Sequence, residues 1–449
     1  MTSSVRLDPA QLEPRTLDRF AVALPARNHA VPYLIVLIVL LLCLRQDNVV
    51  PSTGLGLSPA YLLALLAGIW WLLGKALRLT GIGSGCLPVR FAIGGQLLAQ
   101  FIGFLVLLEH PGFADPAQTP PLLVPAILAG LALFVLDTVH SWAELDRIVR
   151  WLVIAGSVGA LLAVLEVVGH VDLAAITPPG LRAIPELVQP IPRDGITRAQ
   201  GTAAHPLELA AVMTVLVPPA GYCLLAARAR GQRWWPWLLP LALIGAAAVL
   251  SVSRSFFVGL AVEFVVLALY WPLRRTAATL GAAIGVLLVV MLVKDNVVSM
   301  FVGLFTEGTG DDSSLHRTLA RQVAFGLIGR HPLLGTGLGS YDTSRFPVLD
   351  NQYLGVLVET GLVGLAGFLF LLGAGSYSAL RTRARFDVIG WRDRDLGAAL
   401  GASIAGYAVV NLILDTSGFL QISALAAVLV GLTGVLHRLR RDPLAARTA

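Results

Sequence analysis

Three residues in this chain have the types and settings needed to move a group carried on phosphate. Arg198 stands in Thr197-Arg-Ala-Gln-Gly-Thr-Ala-Ala-His-Pro206, Arg254 in Leu250-Ser-Val-Ser-Arg-Ser-Phe256, and Asp350 opens Asp350-Asn-Gln-Tyr353. A guanidinium presents a planar fork that matches phosphate oxygens. A carboxylate can take the proton of an attacking hydroxyl. Two such cations and one such base are the parts for a displacement in which a diphosphate leaves and its charge is stabilised electrostatically. Two guanidiniums supply that charge without a metal, and nothing in the pattern asks for a cofactor.

Each of these residues also has a plainer role open to it. Arg254 lies near the end of an apolar run and can snorkel to lipid headgroups. Asp350 suits a helix N-cap, a role compatible with acting as a base. His205 precedes Pro206, which suits a first helical position. It reads as a polar helix-start residue, with base or donor as its other roles. The helix start itself offers N–H groups to an anion. Glu263 lies two to three turns deeper on the helix that Arg254 begins. Acids within the membrane face protein or water and are often functional, and pairing with an arginine is the structural alternative. Asn351, Tyr353 and Glu359 surround Asp350 in sequence and are supporting candidates, Glu359 lying inside an apolar run ahead of Gly361 and Gly364.

The elements that must position these residues are membrane helices. Of 449 residues, 56% are hydrophobic and 13% charged, whereas a soluble domain carries roughly 25% charged residues. Runs long enough to cross about 30 Å of hydrocarbon fall near 31–44, 59–77, 91–108, 121–136, 151–168, 206–226, 234–250, 253–270, 277–293, 352–372, 396–414 and 419–436. This predicts an all-α, polytopic transmembrane bundle of about twelve spans. Its parts are a cytoplasmic segment 1–30, one membrane domain 31–436 and a cytoplasmic tail 437–449. Segment 1–30 has no apolar stretch of the kind a cleaved signal needs. With the N-terminus in the cytoplasm, 23 of the 33 Lys and Arg residues fall on the inner side, as the positive-inside rule requires. Both termini are then cytoplasmic, and 169–204 and 294–350 are long extracytoplasmic loops. Arg198, Arg254 and Asp350 all fall on the outer side.

Within the second loop, Leu315, Leu319, Val323 and Leu327 recur at helical spacing, with Arg317 and Arg321 on other faces. The pattern fits an amphipathic helix, lying either on the membrane surface or on the protein's own outer face. Gly335-Thr-Gly-Leu-Gly339 follows no buried strand. Its glycines read as room for close packing against helix ends rather than a nucleotide loop. Cys43, Cys86 and Cys223 have neither metal nor disulfide spacing. The net charge of +6 is spread over short loops, which argues against a nucleic-acid partner.

These motifs together resemble the O-antigen ligase and Wzy-type polymerase family of bacterial membrane glycosyltransferases. Arg330-His-Pro-Leu-Leu-Gly-Thr-Gly-Leu-Gly-Ser-Tyr341 resembles the family's Pro-Leu-x-Gly-x-Gly element. Asp350-Asn351, nine residues and Gly361-Leu-Val-Gly364 match the spacing of the ligase signature, with Asp where the family has His. Ser253-Arg254 resembles its Ser-Arg turn, and Arg198 with Gly201 and Pro206 its upstream arginine element. The likeness is clearest from Arg198 to Leu371.

The resemblance implies a GT-C-like helical fold and a polyprenyl-diphosphate-linked glycan donor. It also implies a glycan or lipid acceptor, and metal-independent transfer with inversion on the outer face of the bacterial inner membrane. Arg198 and Arg254 would bind the diphosphate, and Asp350 would stand in for the ligase histidine. That exchange favours chain polymerisation, or transfer to another glycan, over ligation to lipid A. The competing function is a secondary transporter or lipid-linked oligosaccharide flippase. It would carry twofold repeats and key polar residues near mid-membrane. A membrane scaffold without chemistry is a third reading.

Overall fold

The computed structural model describes residues 28–51, 56–77, 87–109, 121–173, 176–183, 198–281, 312–342, 345–381 and 391–441. The helices are α1 (Ala30–Cys43), α2 (Pro59–Ala76), α3 (Pro88–Glu109), α4 (Leu123–Thr138), α5 (Trp142–Val168) and α6 (Pro206–Ala229), followed by α7 (Leu238–Leu250), α8 (Arg254–Tyr270), α9 (Asp312–Arg330), α10 (Gln352–Leu380), α11 (Trp391–Val410) and α12 (Leu420–Leu439). A two-residue antiparallel pair, Asn48–Val49 with Arg182–Ala183, is the sheet structure among the described residues. Local chemistry sets several helix starts. Ser58 accepts from Tyr61 N ahead of Pro59, and Ser141 with Glu144 forms a full capping box on α5.

Eleven of these helices coincide with spans expected from the sequence. Six are long and apolar enough to cross a membrane, namely α2, α3, α5, α6, α10 and α12. Ala30–Cys43, Leu123–Thr138, Trp235–Leu250 and Ser255–Tyr270 are shorter apolar helices. The expected ninth span, 277–293, lies for the most part outside the described residues, as do segment 1–27, loop residues 184–197 and 294–311, and tail 442–449. The central posts are α12 and α6, with 89% and 78% of their apolar windows buried, against 28–44% in the other four. Around them Leu66, Leu73, Phe91, Leu98, Val265 and Phe370 point outward, an apolar rim that suits lipid.

Polar contacts collect at the two ends of this bundle. At one end the turn after α1, the approach to α6, the α7–α8 turn, the start of α10 and the α11–α12 turn are joined. Arg45 Nη1 donates to Gly201 O at 3.4 Å, Thr202 to Leu42 O at 2.8 Å, and Gln421 to Leu41 O at 2.8 Å. Gln352 N donates to Asn411 O at 2.9 Å. At the other end Asp137, Asp146 and Asp395 gather basic side chains from α2, α3, α5, α12 and the loops. Arg275 pairs with Asp395 near the start of α11, whereas Asp350 neighbours Leu412 and Ile413 past its end. The chain between Arg275 and Asp350 therefore joins opposite ends of the bundle.

α9 packs on the protein itself, using Leu327 from the stripe that the sequence suggests but mainly small alanines beside it. Ala320, Ala324, Leu327 and Ile328 meet Leu349, Val358, Tyr341 and Leu354. Leu319 and Phe325 remain 44% and 61% exposed, and the side chains of Leu315 and Arg317 are not among those described. Bulk misled the reading of this face, because small alanines are what let α9 close onto the start of α10.

The glycine run behaves as its composition suggests. α10 is broken at Gly361, which has φ 63°, and this frees backbone groups that need partners. Residues 332–338 supply them. Leu362 N donates to Pro332 O at 2.9 Å, Thr336 N to Val358 O at 2.8 Å, and Gly337 N to Glu359 O at 2.9 Å. A Cβ on Gly335 would lie 2.4 Å from Glu359 C, and one on Gly361 would lie 2.3 Å from Leu333 O. Only glycine fits where the two backbones meet.

Candidate functional site

Arg198 is 8% exposed, and its Nε donates to Ser251 O at 2.9 Å. Ala199 N donates to Leu250 O at 3.1 Å. The approach to α6 is thus fastened to the turn that precedes Arg254. In that turn Val252 has φ 50°, an unusual conformation for a β-branched residue and one held only by surrounding contacts. The Ser253 and Ser255 hydroxyls lie 2.6 Å apart. Arg254 is the first residue of α8, and its side chain lies outside the described set. The two arginine segments singled out in the sequence therefore sit together.

The start of α6 is closed to an outside anion. His205 is its N-cap, with Nδ1 accepting from Leu207 N at 3.1 Å. Glu208 accepts from Ala204 N at 2.8 Å through one oxygen. Its other oxygen accepts from Gln421 N at 2.7 Å and Ile422 N at 3.3 Å at the start of α12. Free helix-start N–H groups were expected here; His205 takes that of Leu207, while Glu208 binds Ala204 N and the start of α12. Glu166 likewise accepts from Gln200 N and Gly201 N, at 2.8 and 2.6 Å.

His205 has the helix-start role expected of it, and it also reports on its neighbours. Burial and then the charge of Arg198 push it down to about 4, with Asp350 pulling the other way. Arg198 and Asp350 thus both act on one imidazole. An Nδ1 that accepts a hydrogen bond requires the neutral ring. The stability this cap contributes is present above 6.5, the ordinary value, and is lost as pH falls toward about 4. His205→Asn keeps a capping side chain without a proton to gain. The thermal midpoint of the purified protein is expected to fall between pH 6.5 and 4 in the wild type, and that dependence to flatten measurably in the variant.

Asp350 is not the cap of α10. Asn351 is, its Oδ1 accepting from Leu354 N at 3.0 Å while its Nδ2 donates to Leu412 O at 3.0 Å. Asp350 is therefore not occupied in capping. It lines a cavity of about 230 Å³ with Arg321, Asn351, Leu354, Leu412 and Ile413 among its walls. Tyr353 OH donates to Ala408 O at 2.7 Å, so it braces α10 on α11. Glu359 accepts from the N–H groups of Gly339 and Tyr341, holding the glycine loop in place. Glu263 is 0% exposed, and neither of its oxygens has a hydrogen-bond partner. Among the described residues no arginine pairs with it. It faces Gly406, where a Cβ would come within 2.3 Å of its Oε1, and the contacts do not join it to the Arg198–Asp350 region.

Two residues of this region went unremarked as site candidates in the sequence. Arg321 on α9 lines the cavity beside Asp350. Asp415 lies in the α11–α12 turn, where its Oδ1 accepts from Ser417 N at 3.1 Å and Ser417 Oγ at 2.6 Å. Burial raises Asp415, the bonds from Ser417 oppose this, and the charge of Asp350 raises it further. Asp350 and Asp415 are thus two interacting carboxylates from separate turns. Asp415-Thr-Ser-Gly418 between two apolar runs was the only signal for it, and it marks a turn rather than a site.

Residues 239–369 match the family model of the O-antigen ligase. The chain carries an O-antigen ligase family domain. The matched segment runs from α7 to within α10. The O-antigen ligase domain therefore contains Arg254, α9 with Arg321, the glycine loop and Asp350, while Arg198, His205 and Asp415 lie outside it. Among curated proteins no match is found.

Proposed function

We propose that the chain transfers or polymerises glycan from a polyprenyl-diphosphate-linked donor in cell-surface polysaccharide assembly, on the outer face of the bacterial inner membrane. The observation that carries this reading is the convergence of the Arg198 loop, the Arg254 turn and the Asp350 turn at one end of the bundle. The opposite end collects the cations of the short loops, which by the positive-inside rule makes it the cytoplasmic one. Both termini are then cytoplasmic.

In this reading Asp350 accepts the proton of the acceptor hydroxyl. The hydroxyl oxygen bonds to the anomeric carbon from the face opposite the leaving group. The bond from that carbon to the diphosphate oxygen breaks, and the configuration inverts. The electron pair leaves with the prenyl diphosphate, whose charge Arg198 and Arg254 stabilise as the metal-free counterions of the step. Asp415 keeps a second carboxylate near Asp350, and Arg321 places a further cation at the same cavity. Asp350 in place of a ligase histidine favours a glycan acceptor over lipid A.

A deletion strain tests the function as a whole. Its envelope polysaccharide should be lost or shortened, with lipid-linked intermediates accumulating. Single repeats would mark a polymerase, and full-length lipid-linked chains a ligase. A normal glycan profile with no accumulated intermediate would remove the proposal.

A further inference from the structure

The approach to α6 is held by side chains that have no part in the proposed chemistry. α5 presents Gly159, Ala163 and Glu166 at spacings of four and three, which is one face of a helix. Residues 200–202 lie against that face. A Cβ on Gly159 would run into Leu42 O and Thr202 Oγ1. Gly201 has φ 58°, and a Cβ there would lie 2.7 Å from the Ala163 Cβ. Small residues on both sides thus let the loop close onto α5. Glu166 ends the stripe, and its Oε2 accepts from Gln200 N at 2.8 Å and Gly201 N at 2.6 Å. From another direction Arg45 Nη1 donates to Gly201 O at 3.4 Å, while its Nε and Nη2 donate to Asp47. Both backbone groups of Gly201 are therefore gripped by charged side chains, one from α5 and one from the turn after α1.

Glu166 stands against local helix chemistry. It lies in the last turn of α5, which holds no basic residue, and a carboxylate there opposes the helix dipole. The N–H pair that it binds is not a vacant anion site, since Gln200 and Gly201 are both buried. What the carboxylate holds is the backbone two and three residues beyond Arg198, whose Nε in turn donates to Ser251 O. A counterion acts on a leaving group only from the right place. We infer that Glu166 is a positioning residue for glycan transfer. With Arg45 it fixes the loop that aims the Arg198 guanidinium at the leaving diphosphate. This rests on the counterion role proposed for Arg198. It gives α5 and the turn after α1, both outside the matched segment, a part in the site.

The test uses the purified full-length protein in lipid. The donor is the lipid-linked glycan extracted from the deletion strain, and the acceptor is the glycan freed from it by mild acid. Glu166→Ala should lower kcat/KM for the donor on the order of 10–100-fold, as a displaced group does, while the KM for acceptor stays at the wild-type value. Glu166→Gln keeps an oxygen for the two N–H groups and should restore most of the loss. Glu166→Asp keeps the charge but withdraws the carboxylate, so it should lose donor kcat/KM as well, and it carries the test if the alanine variant does not accumulate. A residue that acts through Arg198 should add little to the loss in Arg198→Lys. Glu144→Ala, at the other end of α5, removes a capping box and should lower stability without changing the kinetics per folded molecule. Unchanged donor kinetics in Glu166→Ala and Glu166→Asp would overturn the positioning role alone, as would full additivity with Arg198→Lys. Tighter use of donor by Glu166→Ala would also overturn it, by showing that the carboxylate competes with diphosphate for the N–H pair. No turnover by the wild type would instead remove the transfer reading, and the positioning role with it.

Discussion

Asp350→Asn is expected to stop glycan assembly while leaving the protein at wild-type level in the membrane. The substitution preserves size and leaves the helix start intact, because Asn351 and not Asp350 caps α10. What it removes is the carboxylate in the cavity shared with Arg321 and Asn351. Loss of a general base typically costs about 10²–10⁴-fold in rate, so polymer should fall below detection in cells and lipid-linked intermediates should build up. Asn351→Ala gives the contrasting outcome. It deletes the cap and the bond to Leu412, about 1 kcal/mol for the cap, and should lower thermal stability with a far smaller loss of product.

Arg198→Ala is expected to be comparably damaging, for two reasons that separate experimentally. The guanidinium anchors the α7–α8 turn through Ser251 O, and removing it leaves a buried carbonyl without that donor, at a cost of about 1–3 kcal/mol. The same guanidinium is the proposed counterion of the leaving diphosphate. Arg198→Lys keeps the charge but not the planar fork. If both roles hold, Lys should restore membrane level and part of the stability while product remains at least about tenfold down. Full activity in Arg198→Lys would leave Arg198 as a point charge with no need for its fork. Glycan profiles and membrane abundance, measured together for both variants, distinguish these cases.

Six of the helices, α2, α3, α5, α6, α10 and α12, were legible in the sequence because length and apolarity alone mark them. The closure of the bundle end was less so, since it depends on groups far apart in the chain. Arg198 and the Arg254 turn could be paired only by side of the membrane, and the bond from Arg198 to Ser251 O is a fact of tertiary structure. Glu208 shows the limit well. Its position three residues after His205 is a helix-start signature, yet one of its oxygens serves the start of α12, more than two hundred residues away. That second use ties the start of α6 to the start of α12. Asp350 looked like a cap because aspartate is a good one, and only the backbone geometry assigns that task to Asn351. Asp415 was unreadable as a partner of Asp350, because nothing in a turn motif says which other turn it will meet.

The proposed transfer requires the Asp350 carboxylate. The direct measurement is turnover by purified protein in lipid, given a polyprenyl-diphosphate-linked glycan and an acceptor glycan, for wild type and Asp350→Asn side by side. Released prenyl diphosphate and lengthened glycan should appear together with the wild type. The variant should retain bound donor yet release at least about 100-fold less. Turnover by Asp350→Asn at the wild-type rate would rule out a general base at Asp350 and return it to a purely structural role.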